Sequence, residues 1–340
     1  MRVAVIGAGS WGTAVSWLLG GKGVDVTLWA REPEIAAGVN AEGRNPMFLK
    51  DVVLAPNVRA TSDIAEAVSG VEAVVVVTPS HGVRGTAAGM SATLGRDVPV
   101  INLAKGVEQG TLMRMTQVLE EVLGNRARLA ALSGPNHAEE VSKGVPSATV
   151  VAAYDESVGR MFQELFMAPT FRVYTNPDVV GVELCGASKN VVAVAAGMAD
   201  GLGHGDNTKA TLMTRGLAEM SRLGSHMGAN PMTFMGLAGM GDLIVTCTSR
   251  HSRNRGLGEW IAKGGTVESF GTETHMVAEG ANSAISLDDT AVKLGIEMPI
   301  TRQVRAILYE GHQVTEAASV LMGRAAADEF HGMGLIVDGE

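Results

Sequence analysis

The amino-acid sequence predicts an α/β domain built on a parallel sheet and, after it, an all-α domain. Three observations carry this. Strand-like and helix-like segments alternate through the first half of the 340 residues, the pattern of a parallel sheet covered by helices. The chain opens with a short β-rich run, residues 3–6, that passes at once into Gly7-Ala8-Gly9-Ser10-Trp11-Gly12. From Val179 onward the β-rich runs stop, and Ala-, Met- and Gly-rich segments with helical periodicity take over.

Each element follows from its local pattern. Residues 3–6 form the first strand, and residues 13–19 lie on the first helix. Between them G-x-G-x-x-G gives each glycine a task. Gly7 makes the tight turn, Gly9 lets backbone approach a pyrophosphate, and Gly12 lets the helix pack close to the strand. The unpaired N–H groups and positive dipole end of that helix suit phosphates. Strand, glycine loop and helix in this order read as a dinucleotide-binding, Rossmann-type domain.

Residues 24–29 alternate as a second strand, and 73–78 form an uninterrupted run ending at Pro79, as in a strand buried on both faces. Residues 98–103, 129–132 and 148–151 continue the series, with 111–123 among the intervening helices. Asn176-Pro177-Asp178 starts the next helix, with Asn176 or Asp178 as its cap. The expected domains are therefore 1–177 and 178–330, the second holding helices such as 209–223 and 284–293. Residues 331–340 are expected to be a frayed tail.

Composition narrows the function. Hydrophobic residues make up 46% and charged residues 19%, which favours a packed core over disorder. A net charge of −9 argues against a general nucleic-acid binder and leaves room for a local cationic pocket. The two cysteines, Cys185 and Cys247, lack ligand-like spacing; no disulfide framework or zinc site is expected, and a reducing cytoplasm fits. The N-terminal apolar stretch is the first strand rather than a secretory signal. Apolar runs such as 73–77 and 191–196 fall short of the ~20 residues that span a bilayer, so a soluble protein without a membrane span is expected.

In open parallel sheets, ligands bind beyond the carboxyl ends of the strands. That rule selects three further loops: Thr78-Pro79-Ser80-His81, Ala104-Lys105-Gly106 and Ser133-Gly134-Pro135-Asn136-His137-Ala138. Lys105 either faces the crevice as a cation or is a solvated surface lysine. Near the end of the second strand an Asp or Glu takes a ribose 2′-hydroxyl, whereas an Arg accommodates a 2′-phosphate. Arg31 stands there, followed by Glu32; Arg31 favours NADP, and Glu32 keeps NAD open.

Lys189 leads into the apolar stretch Val191-Val192-Ala193-Val194-Ala195-Ala196. Such a cation must snorkel, pair, or have its pKa lowered by desolvation, and a lysine in the last state suits proton transfer. Ser249-Arg250-His251-Ser252-Arg253-Asn254-Arg255 concentrates three arginines. Their forks match phosphate oxygens, unless the cluster is only a solvated face. Upstream, Gly239-Met240-Gly241-Asp242-Leu243 sets a carboxylate next to glycines. The 18 methionines read as core filler.

Taken together, these residues resemble the bacterial NAD(P)-dependent glycerol-3-phosphate dehydrogenase family. The resemblance starts with Gly7-Ala8-Gly9-Ser10-Trp11-Gly12-Thr13-Ala14, Ala104-Lys105-Gly106, Ser133-Gly134-Pro135, Phe171-Arg172-Val173-Tyr174 and Lys189-Asn190. It continues through Thr214-Arg215-Gly216-Leu217-Ala218-Glu219-Met220, Gly239-Met240-Gly241-Asp242, Thr246-Cys247-Thr248, Ser252-Arg253-Asn254-Arg255 and Glu297-Met298-Pro299-Ile300. It implies a 6-phosphogluconate-dehydrogenase-like fold, a Rossmann-type domain plus an all-α domain with the site between them. The implied reaction interconverts dihydroxyacetone phosphate and sn-glycerol 3-phosphate with NADP or NAD, in phospholipid biosynthesis.

By position, the resemblance implies that Ser10, Trp11, Arg31, Lys105, Ala138, Arg253 and Glu279 contact the cofactor, beside Gly7, Gly9 and Gly12. It implies that Lys105, Gly134, Asn136, Lys189, Asp242, Ser252, Arg253 and Asn254 hold the phosphorylated substrate, with Lys189 as proton acceptor and Asp242 beside it. One departure is local: members often carry Ser/Thr-Phe where this chain has Asn136-His137, an amide in place of a hydroxyl. Two other readings are a hydroxy-acid dehydrogenase for carboxylate substrates and a non-enzymatic redox sensor. A sensor needs neither Lys189 nor the arginine cluster. The small-residue helices would suit a homodimer interface.

Overall fold

The computed structural model describes residues 1–274, 277–326, 328 and 329. Their contacts divide them into two units: Met1–Glu108 with Met113–Glu183, and Gln109–Leu112 with the chain from Leu184 onward. The expected tail, 331–340, lies outside the described residues.

The first unit is built on β1 (Arg2–Ile6), β2 (Asp25–Trp29), β3 (Val58–Thr61), β4 (Ala73–Val76), β5 (Val100–Asn102), β6 (Leu129–Ser133), β7 (Ser147–Ala153) and β8 (Phe171–Asn176). The eight strands lie in the order β3-β2-β1-β4-β5-β6-β7-β8. Its helices are α1 (Ser10–Gly21), α2 (Pro33–Glu42), α3 (Ile64–Val68), α4 (Val83–Ser91), α5 (Met115–Leu123), α6 (Ala138–Val141) and α7 (Glu156–Phe166). Alternation along β1 feeds two cores. Val3 and Val5 pack with Leu18, Leu19, Phe162 and Phe166 on one face, while Ala4 and Ile6 pack with Met90, Met115 and Leu119 on the other.

The expectation of a parallel sheet is corrected at one edge: β7 runs antiparallel to β6, and β8 then pairs parallel with β7. The physical reason is the connection. A parallel return needs a crossover, usually a full helix, and between β6 and β7 the chain forms only the four-residue α6.

The second unit is helical: α8 (Val179–Gly201), whose first residues to Glu183 still belong to the first unit, α9 (Asp206–His226), α10 (Pro231–Phe234), α11 (Asp242–Thr248), α12 (Arg253–Ala262), α13 (Val267–Thr274), α14 (Glu279–Leu294), α15 (Pro299–Tyr309) and α16 (Val314–Met322). Of the two candidate caps, Asp178 serves α8: its Oδ1 accepts from Gly181 N at 2.8 Å, while Asn176 Oδ1 accepts from Asp178 N. The expectation that no stretch reaches bilayer length is corrected by α8, 23 residues long with an 18-residue window of mean hydropathy 1.5. The polar run Ser188-Lys189-Asn190 interrupts its apolar stretches without lowering the average much. Of that window 89% is buried within the protein, which makes α8 a core helix.

Candidate active site

In the first unit the sheet order places β1 between β2 and β4, so the chain's direction of progress reverses beside β1. Such a switch point opens a crevice at the carboxyl ends of the strands. Gly7 has φ +121°, and a Cβ there would stand 3.0 Å from Thr78 N, a conformation and a closeness that only glycine tolerates. At Gly12 a Cβ would stand 1.8 Å from Gly7 O, so α1 can approach the loop only without one. Gly9 differs: its backbone is ordinary (φ −72°, ψ −175°), and a Cβ would meet nothing within 4 Å. The fold does not require glycine there. Open space beside it fits the close approach of a pyrophosphate.

The N-terminus of α1 is suited to the same anion. No side chain caps it, and its first turn holds no acidic residue, whereas Asp63 caps α3 and Asp155 caps α7. Ser10 and Trp11 head this helix, and Trp11 leans on Phe171 with ring centroids 6.5 Å apart. Asn45 secures the loop from below. Its Nδ2 donates to Ala8 O at 2.8 Å and Thr13 Oγ1 at 2.9 Å.

The loops after β4, β5 and β6 leave the same carboxyl edge of the sheet as the glycine loop. Lys105 Nζ donates to Gly134 O at 3.3 Å, which joins the loops after β5 and β6. Asn136 Nδ2 donates to Ala148 O at 3.0 Å. Its buried Oδ1, together with Thr78 Oγ1 and Ser133 Oγ, has no hydrogen-bond partner among the described residues, and such buried polar atoms call for a ligand or water. Ala138 opens α6 and is buried. Arg31 follows β2 with its side chain 82% exposed, pairing with Glu32 at 2.6 Å.

In the second unit Lys189 sits on α8 and is buried. Its Nζ donates to Thr246 Oγ1 at 2.7 Å and stands 3.1 Å from Asp242 Oδ1. Thr246 Oγ1 in turn donates to Asp242 O at 2.6 Å. Of the three fates open to this lysine, the geometry excludes snorkelling and displays pairing. A π-helical turn, Leu237–Gly241, runs directly into Asp242, an irregularity that often marks functional sites. Beside Thr246, burial pushes the Cys247 thiol up to about 12, so it is protonated at neutral pH and no nucleophile.

The next residue along α8 extends this site. Asn254 Nδ2 donates to Asn190 Oδ1, and Asn254 Oδ1 accepts from Gly280 N, both at 2.8 Å. The amide thus ties α8, α12 and the start of α14, where Glu279 stands. Ser252 caps α12 by accepting from Arg255 N, and Arg253 and Asn254 form its first turn, which carries no acidic residue. The arginine cluster divides. Arg255 is engaged by Asp200 and Glu259, Arg250 is exposed before α12, and Arg253 is the first residue of the helix.

Sequence reasoning did not single out Asn45 or the part played by Thr246. The second had a signal: Thr246 follows Asp242 by four residues, the spacing that stacks two side chains on one helix face.

Comparison with known proteins matches this arrangement. Residues 2–159 match the family model of the NAD-dependent glycerol-3-phosphate dehydrogenase N-terminus, and residues 178–319 that of its C-terminus. A glycerol-3-phosphate dehydrogenase (NAD(P)+) of Moorella thermoacetica is 49% identical over 328 residues, which cover 96% of this chain and 97% of that protein. One from Clostridium perfringens strain SM101 is 46% identical over 323 residues, covering 95% and 97%. The crystal structure of glycerol-3-phosphate dehydrogenase from Coxiella burnetii aligns with TM-score 0.91 at 35% identity, covering 95% of this chain and 99% of that one. The chain belongs to the NAD-dependent glycerol-3-phosphate dehydrogenase family.

Proposed function

We propose that this chain interconverts dihydroxyacetone phosphate and sn-glycerol 3-phosphate with NADP or NAD, and that it favours NADP. The observation that carries the reading is Lys189, a buried ammonium held by Asp242 and Thr246. Gly7, Gly9, Ser10, Trp11, Gly12, Arg31, Lys105 and Ala138 of the first unit would hold the dinucleotide, with Arg253 and Glu279 of the second. Bound nicotinamide supplies or accepts the hydride.

The chain's own residues handle charge and protons. In reduction, Lys189 gives a proton to the carbonyl oxygen as it becomes an alkoxide; in oxidation it takes the hydroxyl proton. Asp242 balances the ammonium, and Thr246 fixes its direction. Arg253 and the first-turn N–H groups of α12 would hold the phosphate with Ser252 and Asn254, and Lys105, Gly134 and Asn136 are the first unit's candidates for substrate contact. The product, a phosphorylated glycerol, is a building block of the class that phospholipid assembly consumes.

Initial rates with dihydroxyacetone phosphate, unphosphorylated dihydroxyacetone and a set of 2- and 3-oxo acids test this. The phosphate ester is expected to be the preferred substrate by a wide margin. Preference for an oxo acid would overturn the reading in favour of a hydroxy-acid dehydrogenase.

A further inference from the structure

Asn45 lies outside every residue assigned above, yet its side chain is fully buried and engages the glycine loop. It follows α2 by only a few residues and precedes Pro46, which biases its backbone toward extended conformations. Its Oδ1 accepts from Met47 N and Phe48 N, both at 3.0 Å, an Asx-type turn that fixes the amide plane. The Nδ2 is thereby aimed away from its own turn. Across 37 residues of sequence it donates to Ala8 O at 2.8 Å, and across 32 to Thr13 Oγ1 at 2.9 Å. One side chain thus grips both ends of the glycine loop.

The consequence follows from peptide geometry. A trans peptide is planar, and its C=O and N–H point in opposite directions. Holding the Ala8 carbonyl on Asn45 therefore turns the N–H of the same peptide unit, that of Gly9, away from the protein interior. That N–H belongs to the residue whose missing Cβ leaves open space. We infer that Asn45 is a positioning residue for the cofactor: it orients the Gly9 N–H as a donor to the pyrophosphate of the dinucleotide. The inference rests on the dinucleotide reading above and adds to it the residue that presets the donor.

The test uses the full chain and NADPH as probe. Asn45→Ser is neutral, keeps an oxygen for the Met47 and Phe48 N–H groups, and is too short to reach Ala8 O. It is expected to raise the NADPH Kd and KM about tenfold, the size of one lost charge-assisted hydrogen bond, with kcat at saturating NADPH falling much less. A merely structural role would lower Tm and kcat together and leave this split absent, which would overturn the inference. The wild-type chain gives an independent reading through its Gly9 amide proton, which is expected to shift downfield when NADPH binds. An unmoved Gly9 signal in a chain that binds NADPH overturns the role of Asn45 alone. A wild-type chain that does not bind NADPH overturns the dehydrogenase reading and this inference with it.

Discussion

Lys189 poses a problem that its neighbours solve. An ammonium buried on an apolar helix loses its hydration, at a cost of several kcal/mol unless it is paired and hydrogen-bonded. Asp242 provides the opposite charge at 3.1 Å. Thr246 provides an oxygen at 2.7 Å whose own proton is committed to the Asp242 carbonyl, so its lone pair faces the lysine. Thr246→Val should therefore lower kcat about tenfold, the scale of one hydrogen bond to a charged group, with NADPH affinity nearly unchanged. Thr246→Ser should restore most of the rate, and steady-state kinetics with both variants decides the matter. At Arg31 the exposed pair with Glu32 is worth little and is easily given up to a 2′-phosphate. Arg31→Gln should cut kcat/KM for NADPH about tenfold and leave NADH nearly unaffected; equal losses for both cofactors would count against NADP preference. Lys189, Lys105 and Arg31 were legible in the sequence because each stands beside a recognisable strand end or apolar run. Asn45 was not, since its partners lie 32 and 37 residues away and no local pattern announces them.

At the scale of elements, the glycine loop separates two reasons for glycine. Gly12→Ala would push a Cβ to 1.8 Å from Gly7 O, and overpacking of this kind typically costs about 1–3 kcal/mol. Thermal melts should register that loss, together with weaker cofactor binding. Gly9→Ala meets no protein atom within 4 Å, so its melt should match wild type while NADPH Kd rises at least about tenfold. A Gly9→Ala chain that binds NADPH normally would remove the pyrophosphate from that loop. Six of the eight strands were legible, β4 as a β-branched run buried on both faces and β2 by alternation. β3 was not, being only four residues long with an exposed Arg59, and β8 exposes every second residue at the start of an edge strand. The reversed direction of β7 depends on how far α6 carries the chain, which periodicity does not encode.

For the whole molecule, charge and stability are the relevant quantities. A net charge of −9 is compatible with the proposed anionic substrate, because Lys105, Lys189, Arg253 and the N-termini of α1 and α12 would act locally. Stability carries a signature of its own from Glu219, which lines an 800 Å³ cavity in the second unit. Burial pushes its carboxyl up to about 7, against opposing hydrogen bonds from Ile300 and Thr301 and the charge of Arg222. The folded state then holds this proton more tightly than the unfolded chain does. Stability should fall as pH rises from about 4.5 to about 7, by up to ~3 kcal/mol for a shift of this size, and level off above. Glu219→Gln keeps an acceptor for Ile300 N and should flatten that segment; Tm measured from pH 5 to 8 for both chains checks it, and a parallel decline in both would assign the effect elsewhere. The division into an α/β part and a helical part was legible because β-rich runs end abruptly near Val179, whereas the largely buried setting of α8 was masked by the polar run Ser188-Lys189-Asn190.

The most direct test of the central claim follows NADPH absorbance on adding dihydroxyacetone phosphate to wild type and to Lys189→Met. Wild type is expected to oxidise NADPH, and the variant to bind NADPH with unchanged Kd while losing about 10²–10⁴ in kcat, the usual contribution of a positioned acid–base group. Near-normal turnover by Lys189→Met, or no turnover by wild type, would contradict the assignment.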